Sequence, residues 1–277
     1  MNSPIQLLCS TGTFSRFPDL TDYRSIPMYG PELEVDGFEL MFYPDWSTKI
    51  EQIATELLKS QQRFPAIHAE KGIVQALLSS HPGDREQGWQ WMLASCQLGK
   101  ALGAEFLIFH LWGLPDSDKE IEQNLQFLND CMKIAADCRL KLVIETIPCK
   151  YHDPLSNIYR AVEEEPDILV ALDTEFLAMH NQLEAALEAD WLWQYNRVCH
   201  IHIKDYDGNV YSTDNFRRYL HPGEGSINFP KFFEALKLHS FCGYISLETS
   251  VVNHDGTRDI HKLKKSLSML HEMLHNS

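Results

Sequence analysis

The sequence predicts a single (β/α)8 barrel, an α/β fold in which eight parallel strands alternate with helices. Short apolar runs of strand length alternate with amphipathic segments of helix length almost from end to end, and eight such runs can be counted. The chain has 277 residues, 44% of them hydrophobic, which suits one barrel of about 250 residues. No Pro/Gly/Ser-rich or low-complexity stretch resembles a linker, so we expect one domain over residues 1–277.

The expected strands are rich in Ile, Leu, Val and aromatic residues, as strands buried on both faces of a parallel sheet should be. They occupy residues 5–10, 37–43, 65–69, 105–110, 140–146, 168–174, 198–205 and 243–249. Strand–helix alternation repeated this often implies a parallel sheet that closes into a barrel. An open doubly wound sheet is the alternative. It usually has a Gly-rich phosphate loop after the first strand, and the turn here, CSTGTFSR, contains no GxGxxG.

Seven amphipathic segments are expected to form helices. They cover residues 46–62, 85–103, 119–138, 154–165, 182–195, 229–240 and 260–275. Ser47 is the expected N-cap of the first segment, and Gly103 is the expected C-cap of the second. The connection over residues 11–36 is less clearly helical, and we expect a long loop with a short helix there.

The composition bounds the partners that the protein can have. The formal net charge is −15, and such a surface repels a phosphate backbone unless a local basic patch overrides it. The basic groupings are small, namely Arg217-Arg218 and the run KLKK over 262–265. This lowers the odds of a nucleic acid partner without excluding it, so we expect a small-molecule substrate. A homo-oligomer stays open.

Neither the cysteines nor the apolar segments indicate secretion or membrane insertion. The seven cysteines are scattered without a CxxC pair, which argues against a disulfide framework or a thiolate metal cage. The first residues lack the basic start and long apolar run of a signal peptide. No stretch reaches the roughly 18 apolar residues of a membrane span. We therefore expect a soluble, cytoplasmic protein with no membrane contact.

Every expected strand from the third onward ends in a histidine or a carboxylate. In a barrel, function lies at the carboxyl ends of the strands. Three carboxylates at one mouth repel one another, and a divalent cation is the simplest compensation. Carboxylates with one imidazole suit Mn²⁺, Mg²⁺, Co²⁺ or Zn²⁺. The strand-end residues are His68, His110, Glu145, Asp173, His200, His202, Asp205 and Glu248. The predicted metal ligands are Glu145, Asp173, His202 and Glu248.

Each of these residues has a structural interpretation when it is taken alone. A glutamate at a strand end is often an ion-pair partner, and Asp173 is suited to cap the next turn. His202 is as often a hydrogen-bonded core residue as a ligand. His200 faces the same side as His202 one layer deeper, which favours a structural role. Three further histidines lie in expected loops, where we expect solvent exposure: His180, His221 and His254.

At these residues the chain resembles the xylose isomerase-like barrels, a superfamily of sugar and sugar-phosphate isomerases and epimerases that also includes endonuclease IV-type enzymes. The resemblance extends from the second expected strand to the last helix, through VIET, LDT, HIHIKD, HPGEGSINF and SLET. The family's Glu, Asp, His and final Glu bind the metal, which implies the same roles for Glu145, Asp173, His202 and Glu248. His202, not His200, matches the histidine of the family's His-x-Lys-Asp pattern.

The sequence departs from the endonuclease pattern at two places. His68 and His110 resemble positions at which endonuclease IV-type enzymes bind a further zinc. However, the histidine that those enzymes have three residues after the strand-six Asp is Phe176 here, and ketose 3-epimerases often have a histidine there too. The Asp-x-His before their Gly-Glu-Gly loop is replaced by Arg217-Arg218-Tyr219. The resemblance therefore does not imply a complete three-zinc site.

The leading hypothesis is a divalent-metal-dependent isomerase or epimerase of a small sugar or sugar phosphate. The metal would stabilise an enediolate formed when the substrate loses its α-proton. Glu145 and Glu248 would remove and return that proton as catalytic residues. Phe14 is a candidate for an apolar wall over the sugar, and ordinary loop packing explains it equally well. The candidate substrate-binding residues are His68, His110, Trp112, Lys204 and Arg217.

Two alternatives stay open at this point. One is a zinc-dependent phosphodiesterase of the abasic-site endonuclease kind, in which two or more zinc ions would activate water and hold the phosphate. The other is a non-catalytic barrel that binds a sugar or a metal. The strand-end residues predict a site but not turnover.

Overall fold

Eight parallel strands form one closed barrel in chain order. The computed structural model describes residues 5–15, 20–113, 118–212 and 215–276. The strands are β1 Gln6–Ser10, β2 Gly37–Met41, β3 Ala66–His68, β4 Phe106–Phe109, β5 Lys141–Glu145, β6 Leu169–Asp173, β7 Val198–Ile203 and β8 Tyr244–Leu247. Each expected strand overlaps an observed one, so the predicted (β/α)8 fold is confirmed.

The described residues contain twelve α-helices, which lie between the strands or after β8. They are α1 Ser25–Tyr29, α2 Ile50–Lys59, α3 Ile73–Leu78, α4 Pro82–Leu102, α5 Ile121–Leu125, α6 Leu128–Asp137, α7 Pro154–Glu164, α8 Thr174–Met179, α9 Leu183–Glu188, α10 Asp190–Trp193, α11 Phe229–Leu238 and α12 Ile260–Asn276. The expected short helix of the first connection is α1. Residues 16–19 of that connection lie outside the described residues.

Local sequence signals located one of two predicted helix caps. Gly103 ends α4 in the left-handed conformation with φ of 73°, as predicted for a glycine C-cap. The prediction that Ser47 caps the next helix was wrong, because α2 begins only at Ile50. Ser47 instead follows a short 3-10 helix, Pro44–Trp46, and its hydroxyl donates to the carbonyl of Pro44 at 2.8 Å.

The helical segments are also more broken than their periodicity suggests. The segment 119–138 forms both α5 and α6, and 182–195 forms α9, α10 and the start of a 3-10 turn in which Tyr195 has φ of 60°. Two short helices, α3 and α8, were not expected. The first turn of α8 follows directly from the last residue of β6, which places Asp173 at a helix start.

The chain divides into two compact units. The first unit comprises Met1–Phe38 and Leu172–Ser277, and the second unit comprises Glu39–Ala171. The boundaries fall within β2 and β6, so neither unit contains a whole barrel. The organisation of residues 1–277 as a single domain stays a prediction.

In the second unit, α4 packs closely over the sheet at a glycine. Ile67 on β3 and Leu107 on β4 are paired in register and have no exposed surface. Gly99 lies above them, and an added Cβ would be 2.8 Å from Ile67 Cγ2 and 3.0 Å from Leu140 Cδ1. The absence of a side chain at Gly99 therefore sets how near the helix comes to the strands.

In the first unit, three buried phenylalanines of α11 pack edge to face, with ring centroids 6.4 Å apart for Phe229 and Phe232 and 5.9 Å apart for Phe232 and Phe233. Gly243 leads into β8, and its carbonyl accepts from the backbone N–H of Gln6 at 3.0 Å. A Cβ at this position would clash with the carbonyl oxygen of Cys199. The approach of two backbones thus requires glycine here.

All seven cysteines are free thiols, and five of them are buried. Within the described part of the chain, none of the helices combines the length and the apolar character that a bilayer crossing requires.

Replacing Gly243 with alanine is expected to lower the free energy of unfolding by about 1–3 kcal/mol, because the added methyl group forces two backbones apart. The matched control is Gly83→Ala on α4, where the new Cβ would meet only the exposed ring of His81 at 3.3 Å. We expect the control to be neutral or slightly stabilising, as alanine is in helices. Chemical denaturation of both variants measures the difference, and equal stabilities would contradict the close approach.

Candidate metal centre

Three of the predicted ligands meet in the first unit. Asp173 ends β6, His202 lies near the end of β7, and Glu248 follows β8, all of them buried. His202 Nδ1 is 3.3 Å from Glu248 Oε2 and 3.9 Å from Asp173 Oδ2. One ligand atom from each lies within 4.8 Å of the others. Two carboxylate oxygens and an imidazole nitrogen form a donor set that fits a divalent cation.

A lysine lies inside this group of residues. The Nζ atom of Lys204 is 2.6 Å from Asp173 Oδ2 and 2.7 Å from Glu248 Oε2. It also lies 4.2 Å from the ring centroid of Phe176, within the range of a cation–π interaction. Lys204 is only 3% exposed, so these contacts compensate the cost of burying three charges.

Asp173 uses its two oxygens differently. Oδ1 accepts the backbone N–H of Phe176 at 2.9 Å and so caps α8, while Oδ2 faces Lys204. The capping role considered for this residue and its membership in the ligand group are therefore both present.

A second group lies in the second unit, at the ends of β3, β4 and β5. The Nε2 atoms of His68 and His110 are 3.2 and 2.8 Å from the same oxygen of Glu145, Oε2. The two imidazole rings meet edge to face with centroids 4.8 Å apart. Ligand atoms of the three residues lie within 4.8 Å of one another, so this group is a second candidate for a metal.

The ring of His68 is oriented by a contact with the backbone. Its Nδ1 atom is 2.8 Å from the carbonyl oxygen of Ala69, which only a protonated nitrogen can satisfy. The other ring nitrogen, Nε2, faces Glu145, so the backbone contact sets the direction in which the imidazole points.

His110 is the neutral partner of the carboxylate. Burial lowers the pKa of His110 to about 4, and the nearby charge of Glu145 opposes that shift only in part. At neutral pH the ring is therefore uncharged, and its Nε2–H is placed to donate to Glu145 Oε2.

Trp112 and Phe14, two further candidate contact residues, are buried in their own units. The indole N–H of Trp112 donates to the carbonyls of Ile147 at 3.3 Å and Pro148 at 3.1 Å, and the ring is 1% exposed. Phe14 is fully buried and stacks on Tyr29 at 5.8 Å. Both rings are held by packing, and their contact with a substrate stays a prediction.

Arg217 has an acidic partner that the sequence did not indicate. Its Nη2 atom is 2.6 Å from Glu175 Oε2, and its guanidinium lies 4.9 Å from the ring centroid of Tyr219. Glu175 is buried on α8, so this pair links the helix after β6 to the loop after β7. A role for Arg217 in binding a substrate also stays a prediction.

Asp205 organises the loop HPGEGSINF. Its Oδ2 accepts the backbone N–H groups of Gly223 at 2.9 Å and Gly225 at 2.8 Å, and its Oδ1 accepts that of Ile227 at 3.1 Å. An added Cβ at Gly225 would clash with the Asp205 carboxylate. The glycine therefore permits the backbone to close around the buried acid.

These features agree with the comparison to known families. The sequence model of the xylose isomerase-like TIM barrel family matches residues 31–273. The chain belongs to this family. None of the curated proteins matches the sequence.

Solved structures of other proteins have the same fold. An apo 3-keto-D-glucoside 4-epimerase from E. coli aligns over 96% of this chain and 99% of its own, with a TM-score of 0.67 and 17% identity. A D-allulose 3-epimerase from Methylomonas sp. aligns over 99% of this chain and 100% of its own, with a TM-score of 0.73 and 16% identity. The IolI protein with a bound zinc atom aligns over 97% of this chain and 96% of its own, with a TM-score of 0.65 and 16% identity. At these identities the likeness shows the fold alone.

Glu39 and Glu175 are two of the buried acids that the sequence analysis did not single out. Glu39 has no exposed surface and lies in the middle of β2, paired in register with Ala66. Glu175 is the partner of Arg217. A carboxylate inside the apolar run GFELMFY was a usable signal for Glu39, whereas Glu175 has none, since it looks like any acid in a first helical turn.

Two of the three loop histidines are less exposed than expected. His254 is exposed as expected and His180 is half-buried, but the prediction of exposure for His221 was wrong. His221 is buried, with Nδ1 2.7 Å from Ser266 Oγ on α12 and Nε2 3.4 Å from the carbonyl of Ser250. Burial, helped by the charge of Lys262, lowers the pKa of His221 to about 4.

Because the pKa of His221 is lowered by folding, only the unfolded chain takes up this proton between about pH 6.5 and 4. The stability that the neutral ring contributes is complete above that window and falls as the pH drops through it, by at most about 3 kcal/mol. His221→Gln should remove this component of the pH dependence, measured by urea denaturation from pH 7.5 to 4. The exposed His261→Gln is the control, and a curve for His221→Gln parallel to wild type would refute the assignment.

Proposed function

We propose that this barrel is a divalent-metal-dependent isomerase or epimerase of a small sugar or sugar phosphate. The observation that carries the proposal is the donor set of Asp173, His202 and Glu248 at the ends of β6, β7 and β8. Membership in the xylose isomerase-like family supports it, as do structural neighbours whose names describe sugar epimerases.

Glu145 is proposed as the fourth ligand. It ends β5, the neighbour of β6 in the closed barrel, and it stands in the segment VIET that matches the family's metal-binding glutamate. The carboxyl ends of all strands of such a barrel open on one mouth, which is where active sites of this fold lie. The metal is Mn²⁺, Mg²⁺, Co²⁺ or Zn²⁺, since mixed carboxylate and imidazole donors suit each of them.

Two carboxylates of the chain, Glu145 and Glu248, would move the substrate proton. A bound cation supplies Lewis-acid stabilisation of the negative charge that develops on the substrate oxygen. Glu145 and Glu248 lie on different strands, so one would remove the α-proton and the other would return it. His110 and His68 hold one oxygen of Glu145 and fix the direction of the carboxylate. Lys204, Arg217 and Trp112 are the further proposed substrate contacts.

Glu145→Gln and Glu248→Gln are expected to retain appreciable metal while kcat falls by roughly 100-fold or more, the usual scale of acid–base catalysis. Glutamine keeps the size and one oxygen ligand but cannot take up the proton. The assay follows solvent deuterium entering a panel of ketoses, aldoses and their phosphates, with metal content measured in parallel. The control is Glu184→Gln, an exposed partner of Lys231.

Full sugar turnover in both glutamine variants would refute the two-glutamate mechanism. Asp173→Asn and His202→Ala should instead lose metal first and regain part of their activity at high metal concentration. A binding protein without turnover would exchange no deuterium into any sugar of the panel.

A zinc-dependent phosphodiesterase is the second candidate, because the group of His68, His110 and Glu145 offers a second set of metal donors. Phe176 and Arg217-Arg218-Tyr219 stand against it, since they replace residues that a three-zinc site would use. In this structure the ring of Phe176 lies against the Lys204 ammonium.

The number of ions per chain distinguishes the two candidates. We expect about one ion after dialysis against limiting Mn²⁺, Co²⁺ or Zn²⁺, because His68 and His110 already hydrogen-bond the glutamate between them. Elemental analysis of wild type and of His110→Gln provides the measurement. Two well-occupied ions in wild type, together with cleavage of an abasic-site duplex, would favour the phosphodiesterase.

A further inference from the structure

Lys204 contacts the same two oxygens that the donor set would offer to a cation. Asp173 Oδ2 and Glu248 Oε2 are the carboxylate atoms nearest to His202 Nδ1, and each is within 2.7 Å of the lysine Nζ. Glu248 Oε2 accepts a charge-assisted hydrogen bond from this ammonium, and Asp173 Oδ2 is its ion-pair partner. A cation that used these oxygens together with His202 would have to take the place of the lysine.

From this geometry we propose that Lys204 is a built-in competitor of the metal, whose ammonium must leave Asp173 and Glu248 before a divalent cation can bind. The inference rests on the metal centre of the proposed function. It adds that the affinity of this centre is set by the lysine as well as by the ligands.

The electrostatics of the group support this competition. Asp173, Glu248 and Lys204 carry a formal charge of −1 together, and removing the lysine changes that charge to −2. In a buried site, charges at these distances interact far more strongly than in water. The cation therefore gains less when Lys204 is present, and it must also break two short ion pairs.

The surroundings of Lys204 stabilise its ammonium in the position between the two acids. The face of Phe176 lies 4.2 Å from Nζ and stabilises the ammonium where a histidine would offer a rival ligand. The long, unbranched side chain of lysine can also swing away without any movement of β7. A displaced ammonium would then be more exposed to solvent than it is in this structure, where Lys204 is 3% exposed.

The test is a metal titration of chelator-treated, full-length protein by calorimetry with MnCl₂ and with ZnCl₂. Lys204→Met keeps most of the side-chain volume and removes the charge, so we expect its Kd for the metal to fall at least 10-fold. Lys231→Met is the matched control, because Lys231 forms an exposed ion pair with Glu184 in the same unit. Its Kd should equal that of wild type.

A second measurement uses the wild-type protein and does not depend on the folding of a variant. Reductive methylation followed by mass spectrometry should modify Lys204 slowly without metal and faster at saturating MnCl₂, while Lys231 reacts alike in both. An unchanged or weaker Kd in Lys204→Met, or labelling of Lys204 that does not rise with metal, would overturn the proposal.

The outcomes also separate this inference from the proposed function. If the proteins bind metal alike with and without Lys204, the inference fails and the metal centre stands. If neither wild type nor Lys204→Met binds metal, both the competition and the metal centre fail. Sugar turnover is scored in a different assay and does not enter the comparison.

Discussion

Burying carboxylates at the ends of apolar strands is the constraint on which the candidate site depends. Such groups are costly unless charges or hydrogen bonds compensate them. Each unit of the chain meets this cost in its own way. In the first unit the Lys204 ammonium bridges Asp173 and Glu248, and in the second unit two imidazoles share one oxygen of Glu145. Both arrangements give each buried acid a basic partner close to one of its oxygens.

The barrel architecture was predictable from the sequence because its signal is repeated eight times. Each apolar run is short, and each needs a helix to return the chain to the same end of the sheet. Helix boundaries were less predictable, since Ser47 looks like an N-cap but completes a preceding 3-10 turn. The break between α9 and α10 likewise follows from local backbone geometry that an amphipathic pattern does not record.

The candidate site was predictable where residue type and strand position act together. Asp173, His202 and Glu248 end three strands, and the structure brings them into one group. The partners of these residues were not predictable in the same way. Lys204 bridges two acids, and Arg217 pairs with Glu175, which is 42 residues earlier in the sequence. Both contacts depend on side-chain directions that are set by packing. His221 was misjudged because a loop residue is buried here under α12.

Asp205 closes the base of the segment between residues 206 and 219. Its own N–H donates to the carbonyl of Leu220, and its carboxylate holds Gly223 and Gly225. The strand before it and the loop after it are thus joined at one buried acid. The intervening segment is therefore held both at Asp205 and, through Arg217, at Glu175 on α8. An exchange of this segment would have to keep both anchors to leave β7 and α8 in place.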